Sequence, residues 1–187
     1  MELMIRQITT MLLLGISLGL SARETLATDA PADTADFPVP DGVDHLMFYI
    51  QRDPNANTVC YALNFDRQGK LNTKEPLDIF WMRYAEDGRR QNLNYIQRVF
   101  AYGIKQVKQV AGNEIEFRSV AYDKLPLYLR KGASGYYVRT TILGEPCILK
   151  RIYVRIDGGS LFKPNVLYVQ LEGVNPRGQN KVERIKP

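Results

Sequence analysis

From His45 onward, apolar and polar residues alternate with a period of two. The segment Thr58–Asp66 places Val59, Tyr61, Leu63 and Phe65 on one side and Thr58, Cys60, Ala62 and Asn64 on the other. That period is the signature of a β-strand with one buried and one wetter face. His45–Arg52 precedes it across the turn-rich stretch Asp53-Pro54-Asn55-Ala56-Asn57, which predicts a hairpin. Leu77–Tyr84, Ile104–Ala111, Glu114–Ala121, Leu125–Lys131, Gly135–Leu143, Pro146–Asp157 and Val166–Gly173 repeat the pattern, with a short final strand expected at Lys181–Ile185. Gly112-Asn113 reads as a hairpin turn.

The period changes once. Leu93, Ile96, Val99, Phe100 and Tyr102 recur at helical spacing, with Asn92 as N-cap and Gly103 just past the end. This aromatic stripe is expected to cover a sheet or a barrel mouth. Many short strands in succession predict a mainly β (α+β) fold. Its antiparallel sheet of about eight or nine strands would curl into a sandwich or barrel with one helix.

The run HLMFYIQRDPNANTVCYALNFD, followed by LDIFWMRYAEDG and LNYIQRVFAYGI, resembles the bacterial family catalogued as domain of unknown function 4833. The resemblance covers residues 45–187. It implies an exported protein and carries no known activity, so no functional residue transfers from it.

The 187 residues suffice for one domain with a real core. At the N-terminus, Arg6 is followed by the fifteen uncharged residues Ile8–Ala22 and the small-x-small site Thr25-Leu26-Ala27. That order reads as a signal peptide over residues 1–27, and the apolar run is short for a membrane span. Residues 28–43, rich in Pro, Ala and Asp, read as a flexible acidic leader, with a single β-rich domain over 44–187. The expected location is therefore periplasmic or secreted, with no transmembrane segment in the mature chain. Residues 42–187 hold 23 basic and 14 acidic side chains, net +9. Such a surface attracts anions, and it also serves plain solubility.

Cys60 and Cys147 are the only cysteines. In an oxidising compartment they are candidates for a disulfide, and two separate buried thiols are the alternative.

No motif names a reaction. The chain has no G-x-S-x-G elbow, P-loop, G-x-G-x-x-G, C-x-x-C or H-E-x-x-H, and its single histidine, His45, rules out a metal site built on several histidines. No cofactor, metal or catalytic residue is assigned. Asp53, Asp66, Asp78, Glu86, Asp87, Asp123 and Asp157 fall at strand ends or turns, where carboxylates usually cap.

The sharper feature is a hairpin around Gly144-Glu145-Pro146. A three-residue loop sets Arg139 opposite Arg151 and Tyr137 opposite Tyr153; a two-residue loop sets Arg139 opposite Lys150. Like charges directly opposite repel. Either a third strand supplies acid, with Glu114 or Glu116 as candidates, or solvation suffices, or an anionic ligand sits among guanidinium forks and tyrosine rings. On this last reading Arg139, Arg151, Arg155, Tyr137 and Tyr153 form a binding site. The expected function is then a non-enzymatic envelope module for a small anionic or amphiphilic molecule. The alternatives are an envelope hydrolase acting on glycans or phosphorylated lipids through carboxylates, and a protein-interaction domain without a small ligand. Nucleic acid is a weaker partner, because export separates the chain from it.

Overall fold

The structure is a computed structural model that describes residues 25–26, 37–160 and 163–186. The expected signal peptide lies outside the described residues except for Thr25 and Leu26.

The strands run in chain order as β1 (Thr25–Leu26), β2 (Leu46–Arg52), β3 (Asn55–Leu63), β4 (Leu77–Met82) and β5 (Arg90–Asn92). A helical segment follows, α1 (Tyr95–Gln97) and a π-helical turn (Arg98–Tyr102). Then come β6 (Ile104–Val110), β7 (Glu114–Ser119), β8 (Pro126–Gly132), β9 (Gly135–Ile142), β10 (Glu145–Gly159), β11 (Pro164–Val174) and β12 (Asn180–Ile185). The main path of the sheet is β5-β4-β3-β2-β10-β9-β8-β7-β6, and it curls into a half-barrel. Every pair is antiparallel except β2 with β10.

β10 organises this arrangement. Its first residues, Glu145–Ile148, pair with β9, while Arg151–Val154 pair with β2 along the same edge. β11 pairs with its other edge and carries β12, which in turn carries β1. Two arms of sheet therefore leave one edge of one strand and curl toward each other. Their inner faces supply a common core. Phe48, Val59, Tyr61, Ile79 and Trp81 come from one arm and Ile115, Phe117, Leu127, Leu129 and Val138 from the other, with Leu149 of β10 among them. The Phe48 and Tyr61 rings stack at 4.3 Å. Where β9, β10 and β11 converge, Gly173 leaves no room for a side chain, since a Cβ there would meet the Ile148 carbonyl oxygen at 2.6 Å.

The hairpin of β2 and β3 forms with a tighter turn than the sequence suggests: Arg52 pairs with Asn55 across the cis bond of Asp53-Pro54. Polar Asn57 enters the strand because its Oδ1 accepts from Ala85 N–H at 3.0 Å and its Nδ2 donates to Glu86. β3 is buried on both faces, not one. Cys60 and Ala62 join Phe80 in a second apolar cluster, with Val43 and Leu46 packed against it. Residues 37–43, from the stretch read as a leader, adjoin this outer face. Gln51 Nε2 donates to Pro38 O at 2.8 Å, Phe37 lies 6.2 Å from the Tyr153 ring, and Pro40 is buried.

The helix starts later and winds differently than its periodicity predicts. Asn94, not Asn92, is the N-cap, in a reciprocal capping box with Gln97. After one turn the backbone widens into the π-helical turn. Only the ends of the stripe, Leu93 and Tyr102, are buried; Ile96, Val99 and Phe100 face solvent. The wider turn takes residues beyond Gln97 off the 3.6-residue period that would have aligned them.

The β9–β10 turn is Leu143-Gly144, with φ of 51° and 75°. Positive φ at both central residues is the pattern of a type I′ hairpin, and it is costly for a leucine. Leu143 N–H donates to Glu183 Oε2 at 2.7 Å, which helps to hold it there. Leu143→Asn keeps the turn with a residue that tolerates this conformation. We expect a gain of about 1 kcal/mol, read as a rise of about 2–4 °C in thermal midpoint. An unchanged or lower midpoint contradicts the strain.

Candidate functional site

The register of β9 against β10 settles the fate of the expected arginine pair. Because the turn is Leu143-Gly144, Ile142 faces Glu145 and Arg139 faces Ile148. Neither expected register occurs, and Arg139 opposes no cation on β10. Its acid partner is Glu114 of β7, held by Nε–Oε1 and Nη2–Oε2 bonds of 3.0 and 2.7 Å. The guanidinium also lies 4.7 Å from the centre of the Tyr128 ring. Glu116, the other acid considered, instead pairs with Arg118 and Lys108.

The structure brings Arg151, Tyr153 and Arg155 together on the outer face of β10, apart from Arg139. Arg151 Nη1 donates to Glu172 Oε1 at 3.3 Å, and Arg155 Nη1 lies 3.6 Å from Asp53 Oδ1. Tyr153 donates its hydroxyl to Asp53 Oδ1 at 2.8 Å. Burial, then the adjacent carboxylate, push the Tyr153 phenol above its usual pKa, so it stays a neutral donor. The chain of bonds continues sideways: Gln170 Nε2 donates to Glu172, and Arg184 Nε donates to Gln170 Oε1. Arg151 Nε and Nη2 and Arg184 Nη2 are buried without an acceptor among the described residues. Each expected arginine has a carboxylate partner. Tyr137 lies elsewhere, opposite Arg130 of β8, with its ring against Gly132.

Of the two readings of the cysteines, the structure shows two separate thiols. Cys60 and Cys147 are both free and buried, Cys60 in the outer cluster and Cys147 in the main core, on opposite faces of the sheet. Burial pushes the Cys60 thiol up to about 12, which leaves it protonated and inert.

Two concavities bear on binding. One, of about 390 Å³, is lined by His45, Asp44, Asp78, Phe80, Met82 and Arg90 among others. Its chemistry is already occupied: Arg90 Nη2 holds Asp78 Oδ2 at 2.6 Å and stacks on Phe80 at 3.8 Å, while His45 sits edge-on to Phe65.

The other is a groove of about 570 Å³ where the ends of both arms meet. Lys70, Leu71 and Thr73 come from the β3–β4 loop, Asn113 and Ile115 from the β6–β7 hairpin, and Arg130, Lys131 and Tyr136 from the β8–β9 hairpin. The loop is fixed by its own side chains. Asp66 Oδ1 accepts from the N–H groups of Gln68 and Lys70, both at 2.9 Å, and Phe65 bridges to Leu71. Phe65 also lies 6.3 Å from Tyr136, which ties the arms together at the groove.

The groove's lining contains three cations and no acid. Lys131 Nζ lies 5.7 Å from the Tyr136 ring, and neither it nor Lys70 forms an ion pair among the described residues. The acid nearest in contact is Glu114, 3.4 Å from Arg130 Nη1. Its two oxygens already take the fork of Arg139, so Arg130 is only partly neutralised. Leu71, Ile115 and the Tyr136 ring give the groove an apolar wall. Lys70, Arg130 and Lys131 were missed in the sequence. Their only signal is proximity to Gly-rich turns, and nothing local says that those turns meet.

Such an arrangement defines a class: a mainly β, curled-sheet protein with a cationic groove at the meeting of its two arms. The chain belongs to the DUF4833 family, a domain of unknown function, whose model matches residues 48–184. No curated protein and no solved structure matches the chain. Among the described residues, no cluster of His, Cys, Asp and Glu could hold a metal ion, and no helix is long and apolar enough to cross a membrane.

The hydrogen bond from Arg139, against the opposing effect of burial, holds the Glu114 carboxyl below its ordinary 4.5. A lowered native pKa stabilises the fold above the unfolded value, and that stability is lost as pH falls through the native one. Glu114→Gln is expected to cost about 1–3 kcal/mol at pH 7, because Arg139 and Arg130 lose their shared acid. Urea unfolding across pH should show a shallower loss below pH 4.5 in the variant than in the wild type. Parallel acid limbs would contradict the pairing.

Proposed function

We propose that this protein is an exported, non-enzymatic binding module of the cell envelope, and that it holds a small anionic or amphiphilic molecule in the groove of Lys70, Arg130 and Lys131. The observation that carries the reading is the cationic lining: three basic side chains, no acid, and a volume of about 570 Å³ in the range of small-molecule sites. Asn113, Thr73 and Gln109 add polar groups for oxygen-rich ligands, and Leu71, Ile115 and Tyr136 would receive an apolar portion. Arg130, with its fork, suits a phosphate or carboxylate; the two lysines, in no ion pair among the described residues, add positive charge. The net +9 of residues 42–187 favours approach of such a ligand from a distance. Export is supported by the order of charged, apolar and small residues over 1–27.

A binding role at the groove fits the acid beside it: the hydrogen bond from Arg139 lowers the pKa of Glu114, where a general acid requires a raised one.

Isothermal titration at low ionic strength with inorganic pyrophosphate tests the site. Lys70→Gln and Lys131→Gln are each expected to weaken binding about tenfold, while Arg151→Gln, which does not line the groove, leaves it unchanged. Absence of binding, or equal affinity in the double lysine variant, overturns the assignment. N-terminal sequencing of the protein from the envelope should begin at Thr28.

A further inference from the structure

The helical segment presents its apolar residues to solvent. Tyr95, Ile96, Val99 and Phe100 are 76, 54, 38 and 70% exposed. Single apolar residues are normal on a surface, but four large ones within six consecutive positions make a patch.

The segment is also firmly anchored. Asn94 and Gln97 cap each other, Trp81 Nε1 donates to Gln97 Oε1 at 3.3 Å, and the Tyr61 hydroxyl donates to the Tyr102 carbonyl at 2.7 Å. Leu93 and Tyr102 are buried beneath it, and the Trp81 and Tyr102 rings meet at 5.0 Å. Bonds from the core thus fix a scaffold that holds four apolar side chains in water. None of the four lines the cationic groove.

Along the sequence, the stretch that contains the segment carries charge of one sign. Residues 88–113 contain Arg89, Arg90, Arg98, Lys105 and Lys108 and no Asp or Glu. Arg98, in the turn itself, is exposed and in no ion pair among the described residues. Of the other four, Lys108 pairs with the buried Glu116, while Arg89, Arg90 and Lys105 pair with Asp87, Asp78 and Asp123 at exposed positions. Such exposed pairs are weak and can exchange for an external phosphate.

We propose that Tyr95–Tyr102 is an interfacial anchor that seats the protein on an anionic lipid bilayer. Phe100, Ile96 and Val99 enter the boundary between headgroups and acyl chains, Tyr95 keeps its hydroxyl among the headgroups, and Arg98 engages their phosphates. Aromatic and aliphatic side chains beside exposed cations are the composition of interfacial anchors. A second copy of the chain fits less well, because two such surfaces would bring like charges together. This inference is independent of the groove.

Trp81 is the only tryptophan and is hydrogen-bonded to the segment, so it reports contact there whatever else in the chain touches lipid. The test is quenching of Trp81 by vesicles of brominated phosphatidylcholine containing about 30 mol% phosphatidylglycerol. The full chain should be quenched, and vesicles without the anionic lipid should need a higher concentration. In Tyr95→Ser/Phe100→Ser the lipid concentration at half-quenching should rise at least about tenfold, with an unchanged melting temperature. In Arg98→Gln it should rise about fivefold. No quenching of the wild type, or equal quenching of the double variant, overturns the proposal. So does a concentration-dependent dimer, abolished by the double variant, in a protein that lipid does not quench; the second copy would then be the occupant.

Discussion

One edge of β10 has two partners, and the rest of the fold follows from that constraint. A strand normally gives each edge to one neighbour. Here β9 takes the first part of the edge and β2 the second, and the bulge between Leu149 and Arg151 separates the two registers. Two arms leaving one edge cannot continue as one flat sheet. They diverge, curl, and bury their inner faces against each other, and this gives Phe48, Tyr61 and Trp81 of one arm a common core with Phe117, Leu127 and Val138 of the other. The far ends of the arms then meet as loops, and the groove is the space between them.

Electrostatics divides the surface in a way that total charge conceals. On the outer face of β10, Arg151 and Arg155 are matched by Glu172 and Asp53, and in the other arm Arg139 is matched by Glu114. These pairs hold the strands in register and leave little charge for a ligand. At the groove, one shared carboxylate serves two arginines while Lys70 and Lys131 form no ion pair among the described residues. The same residue, Glu114, therefore secures β7 against β9 and leaves the groove cationic.

Much of the architecture was legible because it is local. Period-two alternation located most strands, and Gly112-Asn113 marked its hairpin. What failed depended on a turn or on distant pairing. The Arg139 register hinged on Leu143 accepting a positive φ, for which leucine gives no hint. The helical stripe kept its spacing but lost its burial when the backbone widened past Gln97. Cys60 and Cys147 have the right chemistry for a bridge, but their strands turn them to opposite faces. Lys70 lies far in sequence from the adjacent Arg130 and Lys131, and only the closure of the two arms assembles them.

The most direct test of the account is a heteronuclear NMR titration of the protein with pyrophosphate. Perturbations confined to Lys70–Thr73, Gly112–Ile115 and Arg130–Tyr136 at one common affinity are the predicted result, since these three loops belong to one site. Perturbations centred on Arg151, Arg155 and Arg184, or three groups of loops responding with separate affinities, would contradict it.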